Sequence, residues 1–251
     1  MIGKMYTFHS RIRYSEIDNN GCLSLGSLLD YFQDCSTFHS EDAGVGLEYL
    51  KERHLAWVLS AWQIVVERYP GLGEKVDIGT VPYAFRGFLG YRNFVMESEQ
   101  GERLAYANTL WTLMDMEKMH PARPGTEMLE AYEIGEKLPM DYAPRKIALP
   151  ASGGAGMEAL EVKKHHLDTN NHVNNGQYIR IALECLPAEC LEEGMSVRQM
   201  RAEYKKQAHL GDRIYPVVYK NGGKAAVSLN NREGQPYCIV EFDCRNMGEE
   251  S

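Results

Sequence analysis

The chain has 251 residues, 44% hydrophobic and 25% charged, enough to bury a sizeable core and too apolar for a disordered segment. Its net charge of −8 argues against nonspecific nucleic-acid binding, which needs a basic surface. No apolar run approaches the ~20 residues of a membrane helix, and the first residues hold no apolar signal core, so a cytoplasmic protein without a membrane span is expected.

Met5 to Arg13 alternates like a strand. Between Leu25 and Leu50 the period becomes helical, with Leu28, Leu29, Phe32, Cys35 and Phe38 on one apolar face. The run AWVLSAWQIVVER, Ala56 to Arg68, is rich in Val, Ile and Trp and predicts a long strand. Three more strands are expected near 75–84, 89–99 and 103–115, separated by glycine-bearing turns. Residues 117–157 break this rhythm with repeated prolines and the run SGGAG, and predict a linker with one short helix near 126–134. The order then begins again: a strand-like stretch at 158–165, a loop, a helix from Asn174 to Cys190, and strands near 196–207, 212–220, 224–230 and 235–243. Strand, long helix, then four strands is satisfied by an antiparallel sheet wrapped around one central helix, the hotdog layout. Two copies predict an α+β tandem (double) hotdog, with an N-terminal half at 1–118, a linker at 119–157 and a C-terminal half at 158–251.

A constant offset of 150 aligns DNNGCLSLGSLLDYFQDC, from Asp18, with DTNNHVNNGQYIRIALEC, from Asp168, without a gap. Asp18/Asp168, Asn20/Asn170, Gly26/Gly176 and Cys35/Cys185 are identical, and Leu23/Val173, Leu29/Ile179 and Asp34/Glu184 are alike in kind. At the same point of the same element order, this argues for two copies of one fold. Cys22 stands where the second copy has His172, and Leu25 where it has Asn175. Only histidine has an ordinary pKa near neutrality, so the second copy alone holds an obvious proton-transfer group. The first copy is read as a degraded site that serves as wall and lid for the substrate.

Asp168, Asn170 and His172 fall at alternate positions, which in an extended loop would place them on one face. Asn174 is a good N-cap for the helix that follows, with Gln177 placed to close a capping box. The free amides of that first turn, at Asn174, Asn175 and Gly176, suit a developing negative charge such as the oxyanion formed when a thioester is attacked. Taken by itself, the same loop is also an ordinary asparagine-rich helix cap beside a structural histidine. The six cysteines form no CxxC pair and no Cys/His zinc spacing, and no flavin or nucleotide motif occurs, so no metal or cofactor is expected and the thiols are read as buried or half-buried.

The run LDTNNHVNNGQYI (167–179) resembles the DxNxHVNNxxYI motif of the acyl-ACP thioesterases. WQIVVERYPGLGEKV (62–76) is similar to that family's strand and turn after the first helix, and EYKKQAHLGD (203–212) to its second-half strand. The resemblance implies a thioester hydrolase that releases fatty acid from acyl carrier protein, with Asp168, Asn170 and His172 matching the catalytic Asp, Asn and His. In that scheme His172 activates or orients water, Asn170 positions the carbonyl or water, and Asp168 holds the loop and Asn170. The family's further carboxylate is either not essential here, or is supplied by Glu203 or by Asp168, or activity is low, and Asp168 is favoured because alternation places it on one face with His172. The acyl chain would lie against Leu28, Phe32 and Trp57. The chain departs from the family where Gln207 and Ala208 replace a Glu-Cys pair; an amide can orient water and cannot serve as base or nucleophile. An acidic carrier needs a basic mouth on an acidic protein, and Arg201, Lys205 and Lys206 are the expected docking residues, with Lys163, Lys164, Arg180 and Arg198 nearby. An acyl-CoA thioesterase and a noncatalytic acyl-binding protein stay open as alternatives. A homodimer is also compatible with the sequence.

Overall fold

The computed structural model describes residues 5–168, 170–190 and 195–246. The chain divides into two compact units: Met1–Ser60 with Ile64–Tyr142, and Ala61–Gln63 with Ala143–Ser251. The stretch read as a linker, 119–157, is therefore split, and its first part belongs to the N-terminal unit.

In the first unit β1 (Tyr6–Arg11) leads to α1 (Leu25–Asp42), the short α2 (Leu47–Glu52), and β2 (Leu55–Val66), β3 (Lys75–Arg86), β4 (Leu89–Ser98) and β5 (Arg103–Asp115). A two-residue β6 (His120–Pro121) on β5 and α3 (Thr126–Ala131) follow. The single helix expected over 25–50 is two, because Gly44 takes a left-handed conformation (φ 73°) and Val45 donates back to the Ser40 carbonyl at 2.9 Å. That closure ends α1 on a residue without a Cβ penalty.

In the second unit a short strand, β7 (Ala155–Gly156), lies in the residues read as linker, and the stretch expected at 158–165 holds only one short strand, β8 (Leu160–Glu161). Then come α4 (Asn175–Glu184), β9 (Met195–Tyr204), β10 (Arg213–Asn221), β11 (Lys224–Asn230) and β12 (Pro236–Asn246). The helix expected to reach Cys190 stops six residues earlier, since Pro187 lacks an N–H and disfavours helix before it; a 3-10 turn covers Ala188–Cys190.

The two sheets share one topology. The first runs β1-β3-β4-β5-β2 and the second β7-β10-β11-β12-β9, with β8 also on β10. In each, the strand that follows the helix in sequence, β2 or β9, pairs after the three later strands of its unit. Helix α1 lies on β3 and β1, and α4 on β11 and β12. The aligned apolar positions do the same work in both: Leu29 and Ile179 are 0% exposed, and Cys35 and Cys185 are buried beside them. Removing either aliphatic side chain leaves a cavity in its own unit. Leu29→Ala and Ile179→Ala are each expected to cost about 2–5 kcal/mol in urea unfolding. No helix among the described residues is long and apolar enough to cross a membrane.

One cation lies inside the first unit. Buried Arg92 is bonded to His39 Nδ1 (2.9 Å) and donates to Thr80 Oγ1 (3.2 Å), and it lies over the Tyr132 ring. Burial, then the Arg92 charge, push the His39 pKa down from 6.5 to about 4. The unfolded chain accepts a proton there that the folded chain resists, so stability present above pH 6.5 is lost as pH falls toward 4. Chemical denaturation followed across that window is expected to show the loss, and His39→Gln to flatten it.

Candidate active site

The loop between the 3-10 turn Lys164–His166 and α4 is a tight turn, not the extended run expected from its alternation. Leu167 and Val173 bridge across its base. The Asp168 N–H donates to the His172 carbonyl (2.8 Å), and Asp168 Oδ1 accepts from the N–H groups of Asn170 (2.8 Å) and His172 (3.3 Å). Asn171 sits at φ 60°, a conformation asparagine tolerates better than most residues. The carboxylate therefore faces backbone donors and holds the turn, while Asn170 is exposed and His172 half-buried. Thr169 lies outside the described residues.

Asn174 caps α4 by accepting from the Gly176 N–H (2.8 Å). The reciprocal half of a capping box is absent, because the Asn174 N–H is taken by the His166 carbonyl (2.8 Å). The Gly176 and Gln177 N–H groups are used by Asn174 itself, so among the first three helix residues the Asn175 N–H alone is without a described acceptor. The set of free amides is smaller than the sequence suggests, and it is aimed from one residue.

A second loop, 205–212, packs against the first. Val173 donates to the Ala208 carbonyl (3.0 Å), and Ala208 donates to the Tyr178 hydroxyl (2.8 Å). The Tyr204 hydroxyl in turn donates to the Asn175 carbonyl (3.0 Å). His209 Nα–H donates to Asp212 Oδ2 (2.8 Å) and the Asp212 N–H returns to the His209 carbonyl (3.0 Å). The loop so fixed sets the His209 ring edge-on to His172, centroids 4.8 Å apart at 73°. Burial, then His209, lower the His172 pKa, and Asp168 opposes them. His209 was not read from the sequence; its one signal was a histidine two residues beyond Gln207.

Gln207 is exposed, and its amide is bonded to no described group. Of the expected docking residues, Arg201 is committed to Glu241 (2.9 Å) and to the Pro144 and Lys146 carbonyls, and Lys205 to Glu203 (2.8 Å). Lys206 is exposed and bonded to the Gln235 amide. Beside this loop lies a polar concavity of about 460 Å³, whose lining includes Arg213 and Arg232 together with Asp212, Glu233 and Tyr237. Neither arginine is paired with a carboxylate among the described residues. In the first unit Leu28 and Phe32 are 1% and 0% exposed, in its core, with Phe32 against Phe94. Trp57 is half-buried beside Phe85 and Gly90, and its indole N–H is buried without a partner among the described residues.

The first unit repeats the loop bond for bond. Asp18 donates to the Cys22 carbonyl (2.8 Å), and its carboxylate accepts from Asn20 (2.9 Å) and Cys22 (3.2 Å). Ile17 and Leu23 bridge its base, Ser24 donates to the Glu16 carbonyl, and Leu23 donates to the Pro70 carbonyl. Gly71 donates to Glu74 as His209 does to Asp212. Cys22 and Gly71 thus occupy the places of His172 and His209: the turn survives and both imidazoles are missing.

Two antiparallel sheets of one topology, each with its own helix and only one bearing imidazoles at the helix start, define a tandem hotdog protein. Residues 3–132 match the acyl-ACP thioesterase N-terminal domain and residues 152–246 the acyl-ACP thioesterase C-terminal domain, and the chain belongs to that family. It is 27% identical over 259 residues to a palmitoyl-acyl carrier protein thioesterase of Gossypium hirsutum, covering 98% of this chain and 60% of the relative. It is 25% identical to an acyl-[acyl-carrier-protein] hydrolase of Cuphea viscosissima, covering 82% of this chain and 52% of the relative. The chain thus spans between about half and three-fifths of the length of these curated relatives. In fold it is similar to an acyl-ACP thioesterase from Bacteroides thetaiotaomicron (TM-score 0.87, 24% identity, 96% of this chain and 98% of that one). It is also similar to the 12:0-ACP thioesterase of Umbellularia californica (TM-score 0.86, 21% identity, 98% of each chain).

Proposed function

We propose that the chain hydrolyses the thioester of fatty acyl-ACP, releasing free fatty acid and ending chain elongation. The observation that carries this reading is the pair of matching loops of which only the second holds imidazole at a helix start. Neutral His172 takes a proton from water as the water oxygen adds to the thioester carbonyl carbon. The carbonyl pair moves to oxygen, where the Asn175 N–H and the start of α4 oppose its charge. Collapse re-forms the carbonyl and breaks the carbon–sulfur bond, and the sulfur leaves with the electron pair and takes the proton from the imidazolium. Asn170 orients the water or carbonyl, Asp168 fixes the turn, and exposed Gln207 contributes at most a hydrogen bond. Leu28, Phe32 and Trp57 are assigned to the acyl-chain side.

For the carrier, the unpaired cations beside the 205–212 loop are better placed than Arg201 and Lys205, whose charges are internally matched. Lys206, Arg213 and Arg232 form the docking set, facing the phosphate of the pantetheine arm and the acidic carrier. The compartment assigned is the cytoplasm, a reducing one that keeps six free thiols unpaired.

The test is release of free acid from a ladder of acyl-ACPs beside matched acyl-CoAs. Faster turnover on the ACP series supports the carrier assignment, and the reverse ratio makes the chain an acyl-CoA thioesterase. Arg213→Glu with Arg232→Glu is expected to raise KM for acyl-ACP and weaken its salt dependence with kcat little changed. An unchanged KM removes these residues from docking.

A further inference from the structure

His172 does not stand alone. We propose that His209 is a positioning residue for His172, holding the imidazole edge-on and opposing its protonation so that it stays available to accept a proton from water. This rests on the hydrolase reading for its meaning in catalysis and on geometry for its existence.

Three observations carry it. The rings meet at 4.8 Å and 73°, a contact that restricts the His172 side chain from one side while its own turn restricts the backbone. The His209 main chain is anchored from both directions, by the reciprocal bonds with Asp212 and by the Ala208 contacts to Val173 and Tyr178, and its side chain is exposed. No described group is bonded to its ring, so the ring's described role is the contact with His172. Third, the other copy of this loop pair has Cys22 opposite Gly71, so the two imidazoles are absent together from the copy read as degraded. The Glu-Cys pair that the family resemblance leads one to expect is Gln207-Ala208 here, and the next residue is His209. The chain thus holds a titratable ring on the same loop where a carboxylate and a thiol are missing.

The electrostatic sense follows from like charges. Two imidazoles in contact resist carrying a proton each, because the second charge would sit beside the first. The groups acting on His172 are Asp168 from its own turn, which favours the charged form, and His209 from the facing loop, which disfavours it together with burial. The loop also carries Asp212, engaged by the His209 N–H and the Tyr237 hydroxyl, Lys205, paired with Glu203, and Lys206, bonded to Gln235. Removing His209 leaves Asp168 less opposed, so His172 should hold its proton to higher pH.

The experiment is a proton NMR titration of His172 in the full chain, for wild type, His209→Phe and His209→Gln, alongside the pH profile of kcat/KM on acyl-ACP. Phenylalanine keeps an aromatic edge contact without a charge, and glutamine keeps polarity without a ring. The expected result is a His172 midpoint moved to higher pH in both variants, with the acid limb of the profile moved by the same amount. The alkaline plateau should be better retained in His209→Phe than in His209→Gln, because the ring still buttresses His172. A midpoint that does not move, or moves down, overturns the proposal whatever the turnover. A moved midpoint in a protein that hydrolyses no thioester upholds the coupling and overturns the hydrolase reading instead.

Discussion

Replacing His172 with alanine is expected to lower acyl-ACP hydrolysis by ~10²–10⁴-fold, the range by which a positioned proton-transfer group accelerates such steps. The side chain is half-buried on a turn held by backbone bonds to Asp168, and those bonds do not depend on the imidazole. Thermal stability should therefore change little, by about 0.5 kcal/mol or less, as for other substitutions outside the core. Free acid measured by extraction and chromatography, with KM and kcat separated, decides the matter. Loss concentrated in kcat supports the proton-transfer role. A variant as active as wild type, on every chain length that wild type accepts, would remove His172 from the mechanism. No release by either protein favours the acyl-binding alternative, with Gln207 and Ala208 as its natural cause.

The second large effect is expected at Asp168, where the duplicated loop supplies its own control. Asp168→Ala deletes the acceptor for two backbone N–H groups, and each such bond contributes about 0.5–1.5 kcal/mol. Asp18→Ala deletes the matching pair in the first unit. Both variants should lose similar stability in chemical denaturation. Only Asp168→Ala should lose hydrolysis, by ~10²-fold or more if a misplaced imidazole is as costly as other small displacements of reacting groups. Asp168→Asn retains one side-chain oxygen and should keep part of the activity. Equal activity loss from Asp18→Ala would show that the first loop takes part in catalysis, contrary to its reading as a degraded copy.

The fold was legible because its signals were repeated. Strand-like runs between glycine-bearing turns marked the strands at 75–84, 89–99 and 103–115 close to their observed limits, and the gapless match from Asp18 and Asp168 lies at equivalent helix starts. What was missed depended on single residues overruling a period. Gly44 split the first helix, and Pro187 shortened the second. In the site, the direction of the side chains was not readable. Alternate positions share a face only in extended chain, and the Asp168 carboxylate folds the segment into a turn by capturing N–H groups two and four residues on. His209 escaped because its partner is 37 residues away in sequence and is brought to it by the Val173–Ala208 backbone bond. A sequence does not show which cations find carboxylates inside the fold, as Arg201 does at Glu241 and Lys205 at Glu203.

The paired loops of Asp18 and Asp168 bear on how such a protein can change. When a hotdog pair is assembled from two identical chains, symmetry makes every substitution twice, so a wider pocket on one side must be matched on the other. Here each copy is written separately, and a replacement at Cys22 leaves His172 as it was. On the proposed function, one copy is then free to drift in volume and polarity while the other is held to its chemistry. On that same proposal, with the acyl chain on the side of the first unit, substrate range and reactivity become separately heritable traits of a single gene, and libraries aimed at chain length can be confined to residues 5–60 and 64–142 without touching His172 or His209.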